Sequence, residues 1–245
     1  MKTLHMKKLI RSFNLFEVIW LVSVVVLLVF FILLFPDLMF EDKHNTLVVV
    51  CSVISIISSP ICEMLISKQS RYWTLFSLFC VEIPDIIMLL SLGLYSSAVI
   101  SLFFWIPFDL LTFFGWKKNP DEVKTELTKV KTFPWWGNLL IVLGMIALAL
   151  GVGYILSLFP SESSPYVIAF SNVFEIANGI FLLTRHNEQW LAWFGYLICE
   201  IIIWVSLGHY IMLITVVAML INTVYGFIKW LLYIRNSRVA KPAIA

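Results

Sequence analysis

Charge is what this sequence has least of. Asp, Glu, Lys and Arg make up 13% of its 245 residues against 61% hydrophobic ones, and the mean hydropathy is +0.95. A chain of that composition cannot enclose one core and still cover its outside with polar groups, so its solvent is lipid. A net charge of +2 leaves no basic domain to bind nucleic acid. Cysteine is scarce too: Cys51, Cys62, Cys80 and Cys199 have no CxxC spacing and fall inside apolar runs, which predicts buried free thiols. There is no HExxH, Walker A or Gly-rich nucleotide loop, which excludes ATP-driven transport by this chain alone. His5, His44, His186 and His209 sit at or beyond the ends of apolar runs, and no lysine sits in the middle of one, where a retinal Schiff base would need it. No enzyme activity and no cofactor are expected.

Long apolar segments take the place of what is missing. Eight can be drawn, over 16–35, 46–66, 73–93, 97–116, 135–159, 166–183, 190–207 and 211–232, each near the twenty residues a helix needs to cross a bilayer. Barrel strands would alternate, whereas 18–35 and 139–159 run without a charge, so an all-α integral membrane fold is predicted. In alternate loops, 16 of the 17 Lys and Arg fall on one side and only Lys43 on the other. That asymmetry predicts eight spans with both termini in the cytoplasm, in a cell (inner) membrane. The first run is too long for a signal peptide and lacks a small-residue cleavage site before Pro36, so it reads as a retained helix.

The chain also repeats itself. Residues 85–95 read DIIMLLSLGLY and 200–210 read EIIIWVSLGHY, six of eleven positions identical and an acid opening each copy. The same offset places Glu63 on Asn178. Because both triplets of spans start from the outside, an odd helix must stand between them, and the repeats run parallel about an axis along the membrane normal. The expected division is 1–45, a cytoplasmic N-terminus and extra helix; 46–116, the first three-helix repeat; 117–165, a loop and linker helix; 166–232, the second repeat; and 233–245, a cytoplasmic tail. The loop over 117–134 is mixed in sign and reads as a solvated connector. Pro60, Pro84 and Pro107 fall within spans of the first triplet and none in the second, which marks them as hinges or packing adaptations.

Six acids stand out within the spans: Glu63, Glu82, Asp85, Asp109, Glu175 and Glu200. Each costs about 2.5 to 3.5 kcal/mol near the bilayer centre, so they must face the bundle interior, water or an interface. Asp85 and Glu200, equivalent in the two repeats, are candidate substrate contacts, and Glu63, Glu82 and Glu175 join them. Such unpaired carboxyls leave proton coupling open as an alternative. Trp190, Trp193, Leu197, Glu200 and Trp204, spaced 3, 4, 3 and 4, share one helix stripe that suits a flat ring with a hydroxylated appendage. Asn178 beside Glu175, and Asn222 beside Tyr225, add donors and acceptors at helical spacing. The absence of Arg and Lys at depth disfavours a phosphorylated solute.

The segments NEQWLAW, LGHY and NTVYGFIKW in the second half, with LGLY and FFWIPFDLLTFFGWKK in the first, resemble the PnuC family of vitamin and nucleoside uptake transporters. The resemblance implies a SWEET-like 3+1+3 arrangement, a homo-oligomer, usually a trimer, and facilitated diffusion with trapping by a cytoplasmic kinase. Nicotinamide riboside members of the family carry Asn or Asp where this chain has Leu197. That departure places a deoxyribonucleoside ahead of nicotinamide riboside, with thiamine or riboflavin as alternatives.

Overall fold

A computed structural model describes residues 13–35, 46–91, 98, 101–122, 127–158, 164–206 and 212–239, and these are mostly helical. The helices are α1 (Leu15–Leu34), α2 (Thr46–Ser67), α3 (Tyr72–Ser77), α4 (Ile83–Ser91), α5 (Ile106–Lys117), α6 (Trp135–Ser157), α7 (Pro165–Thr184), α8 (Gln189–Ser206) and α9 (Met212–Val239). Six of them, α1, α2, α6, α7, α8 and α9, are long and apolar enough to cross a membrane. The closing halves of the repeated unit, 92–95 and 207–210, lie outside the described residues. So do Lys2, Lys7, Lys8, Arg11, Lys43, Lys124 and Lys241 of the orientation argument, and His5, His44 and His209.

The helices are inverted relative to those of a water-soluble bundle. Leu15, Val26 and Leu33 of α1 and Leu139, Leu143 and Leu148 of α6 point outward, while Ser52, Ser55, Thr112 and Asn222 are buried. Polar side chains have turned inward, away from lipid. Helix α2 packs on α1, α3, α4 and α9, and α7 on α5, α6 and α8.

Proline shapes the segments between. A π-helical turn over Leu78–Glu82 joins α3 to α4, and a second over Ser101–Trp105 leads into α5. Each ends two residues before a proline, Pro84 or Pro107. Proline cannot donate to the carbonyl four residues back, and the wider turn accommodates its ring: the Ile83 N–H reaches the carbonyl of Leu78, five residues back.

The ends of α2 and α7 repeat each other bond for bond, 116 residues apart. Ser70 N–H donates to the Leu65 carbonyl and His186 N–H to that of Phe181, over left-handed residues Gln69 (φ 56°) and Arg185 (φ 63°). Both are helix stops of the kind glycine usually makes. Carbonyls at these ends also accept from across the molecule. Trp116 Nε1 of α5 donates to the Leu182 carbonyl of α7 (2.7 Å), and Trp230 Nε1 of α9 donates to the Ser67 carbonyl of α2 (3.3 Å). The indoles of Trp73, Trp116, Trp230 and Trp190 follow one another at centroid distances of 5.8, 6.1 and 5.6 Å, tilted or edge-on. Each such pair contributes about 0.5–1.5 kcal/mol beyond burial.

The expectation of a solvated connector is corrected here. Thr128 and Val130 are buried, and the segment is pinned to both turns: Thr128 N–H donates to the Gln69 carbonyl and Lys131 N–H to that of Arg185. Glu188 accepts from the Thr132 hydroxyl and from Phe133 N–H. Left-handed turns present carbonyls that the helices cannot satisfy, and an extended strand of backbone supplies the donors.

Glu17 was not counted among the intramembrane acids, yet it is fully buried at the start of α1. Its carboxylate accepts from Lys68 at the end of α2 (2.9 Å), from Lys229 of α9 and from the Tyr225 hydroxyl (2.8 Å). Asn14 and Glu17 close a capping box, and Asn14 Nδ2 also donates to Tyr225 (2.8 Å). The signal was present as Asn-x-x-Glu before an apolar run; its basic partners, 51 and 212 residues away, had no local signature.

A Cβ at Gly226 would lie 2.4 Å from Cζ2 of Trp190. Gly226→Ala is therefore expected to cost about 1–3 kcal/mol through overpacking, seen as a lower melting temperature in detergent. An unchanged melting temperature would show that this seat is not needed. His186 lies outside the spans, stacked on Phe133 at 4.0 Å, and burial together with Lys131 and Arg185 lowers its pKa to about 4. An unfolded His takes up its proton near pH 6.5, so this contribution is complete above that pH and is lost as pH falls toward 4. Melting temperature measured over that window should fall more steeply for the wild type than for His186→Phe, which keeps the stack and cannot titrate.

Candidate functional site

A cavity of about 300 Å³ opens between α2, the two proline-marked segments, α7 and α8. That volume is at the lower end of small-molecule sites. The sequence positions that reach it are set by the π-helical turns, which contribute Val81, Glu82, Ser101 and Trp105, and by the inner faces of α2, α5 and α7. Trp73, Trp105, Phe108 and Trp193 give it aromatic walls. Ile66, Trp73 and Leu182 belong both to its lining and to the tryptophan-centred core, so the packed indoles form its closed end.

Of the ten candidate residues, Glu63, Glu82, Asp85, Glu175, Asn178 and Trp193 line this cavity. Glu82 lies within electrostatic reach of Asp109, Asp85 and Glu175. Asn178 Nδ2 donates to the Gln189 carbonyl (3.1 Å) and to Gln189 Oε1 (2.9 Å), which ties the end of α7 to the start of α8. Glu63 and Asn178, paired by the repeat offset, both face the same space. No Lys or Arg is among the described lining residues.

The other four are not brought there. Trp190 is 1% exposed and belongs to the indole chain, against Gly226 and Trp230. Tyr225 serves Glu17. Glu200 accepts from Ser171 of α7 (3.2 Å) and neighbours Glu175. Asn222, buried, lies behind Glu63 with its amide atoms unpartnered among the described residues. The single stripe expected on α8 is divided because that helix packs between α7 and α9: Trp190 meets α9 and Glu200 meets α7, while Trp193 faces the cavity and stacks on Tyr196 at 4.6 Å. Leu197, the position that set the order of preferred solutes, is 1% exposed and not part of the lining.

Sequence reasoning passed over Trp73, Trp105 and Phe108 as wall residues. Their local pattern is that of any apolar helix, and only the proline-linked turns bring them to one space. Asp109 was noticed as an intramembrane acid but not placed with the binding residues; it lines the cavity at 5% exposure beside Ser77. The same cost argument that singled out the other acids applied to it.

A family model described as nicotinamide mononucleotide transporter matches residues 46–232, from the first residue of α2 into α9. The nicotinamide riboside transporter PnuC of Haemophilus influenzae is 24% identical over 219 residues, covering 88% of this chain and 89% of that protein. The PnuC of Neisseria mucosa is 22% identical over 191 residues, covering 72% and 70%. The crystal structure of the vitamin B3 transporter PnuC superposes with a TM-score of 0.67 at 22% identity, over 92% of this chain and 94% of that one, and so shares its fold.

Cys62 lines the cavity. In a protein with Cys51, Cys80 and Cys199 changed to Ser, maleimide should label Cys62 at least about fivefold more slowly at saturating solute. A solute that raises the melting temperature without slowing labelling binds elsewhere.

Proposed function

The chain belongs to the nicotinamide mononucleotide transporter family, and we propose that it carries unphosphorylated nicotinamide riboside across the cell membrane into the cytoplasm. The observation that carries this reading is a cavity with aromatic walls and acids but no Lys or Arg among its described lining residues. A phosphate would demand the cations that the lining lacks, so the riboside fits and the mononucleotide does not. The relatives named for nicotinamide riboside point to the same solute. The case for a deoxyribonucleoside rested on Leu197, which stands apart from the lining.

Trp193 stacks on the flat ring, as an indole does on any π-face. Asn178 and the carboxyls of Asp85, Glu82, Glu175 and Glu63 accept from, or donate to, ribose hydroxyls and the carboxamide. The carrier has eight spans with both termini in the cytoplasm: one extra helix, then two parallel triplets, 46–116 and 166–232, separated by α6. The matched turns at the ends of α2 and α7 support that division. The triplets rock about the cavity with Pro84 and Pro107 as flexing points, the solute equilibrates by facilitated diffusion, and a separate kinase retains it by phosphorylation. The assembled form is a homotrimer.

The test is counterflow in proteoliposomes. Labelled nicotinamide riboside should accumulate against an unlabelled internal pool, and Trp193→Ala should weaken half-saturation about tenfold or more, since one stacked ring contributes about 1–3 kcal/mol. Counterflow of thymidine, thiamine or riboflavin with none of nicotinamide riboside would overturn the assignment of solute.

A further inference from the structure

Five carboxyls line one cavity, and two of them are distinguished by burial. Glu63 of α2 is 9% exposed and Asp109 of α5 is 5% exposed, and Glu63 Oε2 and Asp109 Oδ2 are buried without a hydrogen-bond partner among the described residues. The buried carboxylate of Glu17 is met by two ammonium groups, a hydroxyl and a backbone N–H, and Glu188 Oε2, unpartnered among the described residues, is not part of the cavity lining. A carboxyl oxygen withdrawn from water and left unpaired is a standing cost, and a donor or a cation that enters the space beside it offsets that cost.

We infer that Glu63 and Asp109 are charge-selecting residues that favour a solute with fixed positive charge on an aromatic ring over a neutral solute of the same shape. The inference rests on the nicotinamide riboside reading and sharpens it. The pyridinium nitrogen of that solute carries a full positive charge that needs no proton. Aromatic walls alone do not provide this selection, because Trp73, Trp105 and Trp193 stack on charged and neutral rings alike, with only a modest cation–π preference. The acids supply the difference. They belong to two elements, α2 and α5, of the same cavity wall, and no cation of the described lining competes for either.

The comparison that isolates charge uses nicotinamide riboside and its 1,4-dihydro form, which is neutral and differs by one hydride. Competition against labelled nicotinamide riboside counterflow is measured with both, on the wild type and on Asp109→Asn and Glu63→Gln made separately, each checked by its melting curve. The wild type should prefer the cation at least tenfold, and either folded variant should reduce that preference to under threefold while still binding the neutral form. Equal competition by the two forms on the wild type overturns charge selection and leaves the carrier assignment standing. A preference kept in full by a folded variant overturns the assignment to that residue. No counterflow of nicotinamide riboside at all overturns the functional reading, and the charge selection falls with it.

Discussion

Everything in this protein leans on a few backbone carbonyls. Helices α2 and α7 both stop at left-handed residues, and Ser67, Lys68 and Leu182 at those ends are buried. In such a place an unpaired carbonyl is costly, so a donor must be found inside the protein. The donors come from outside the helix that needs them: indole N–H groups from α5 for α7 and from α9 for α2, and backbone N–H groups from the connector for the turns. The two indole bonds bring Trp116 and Trp230 together, and the tryptophans pack in series. The closed end of the cavity is thus the by-product of satisfying helix ends.

Above that closed end, proline sets the shape. Two residues that cannot donate a hydrogen bond force two wide turns, and those turns carry Glu82 and Trp105 into the space that α2 and α7 border. A regular helix would have advanced both side chains by a different angle. Acids reach the same space, with Asp109 near Ser77 and Glu63 near Asn222. Recognition and helix irregularity are one design.

Helix positions were the most legible part of the sequence. The run drawn over 46–66 is the helix Thr46–Ser67, and that over 135–159 is Trp135–Ser157, since polar residues punctuate long apolar stretches at both ends. The last run, drawn to 232, continues as helix to Val239 because Lys229 and Tyr233 find acidic partners that hydropathy cannot foresee. Within the site, the acids were legible because burial in lipid is expensive for any carboxylate. The tryptophans were not: Trp190 and Trp193 have the same composition and the same periodicity, and what separates a core indole from a cavity wall is which neighbour α8 presents each of them to. Gln69 and Arg185 in left-handed turns were equally hidden, because neither residue type announces that conformation.

The Glu17 carboxylate has a meaning in time as well as in space. It precedes Lys229 by 212 residues and so enters the membrane well before its partner is made. Until the ribosome has delivered α9, the α1 acid has at most half of its counter-charge, and α1 cannot take its final place beside α2 and α9. Arrival of α9 is therefore a chemical event for α1: until it is in place, a buried carboxylate is short of a cation.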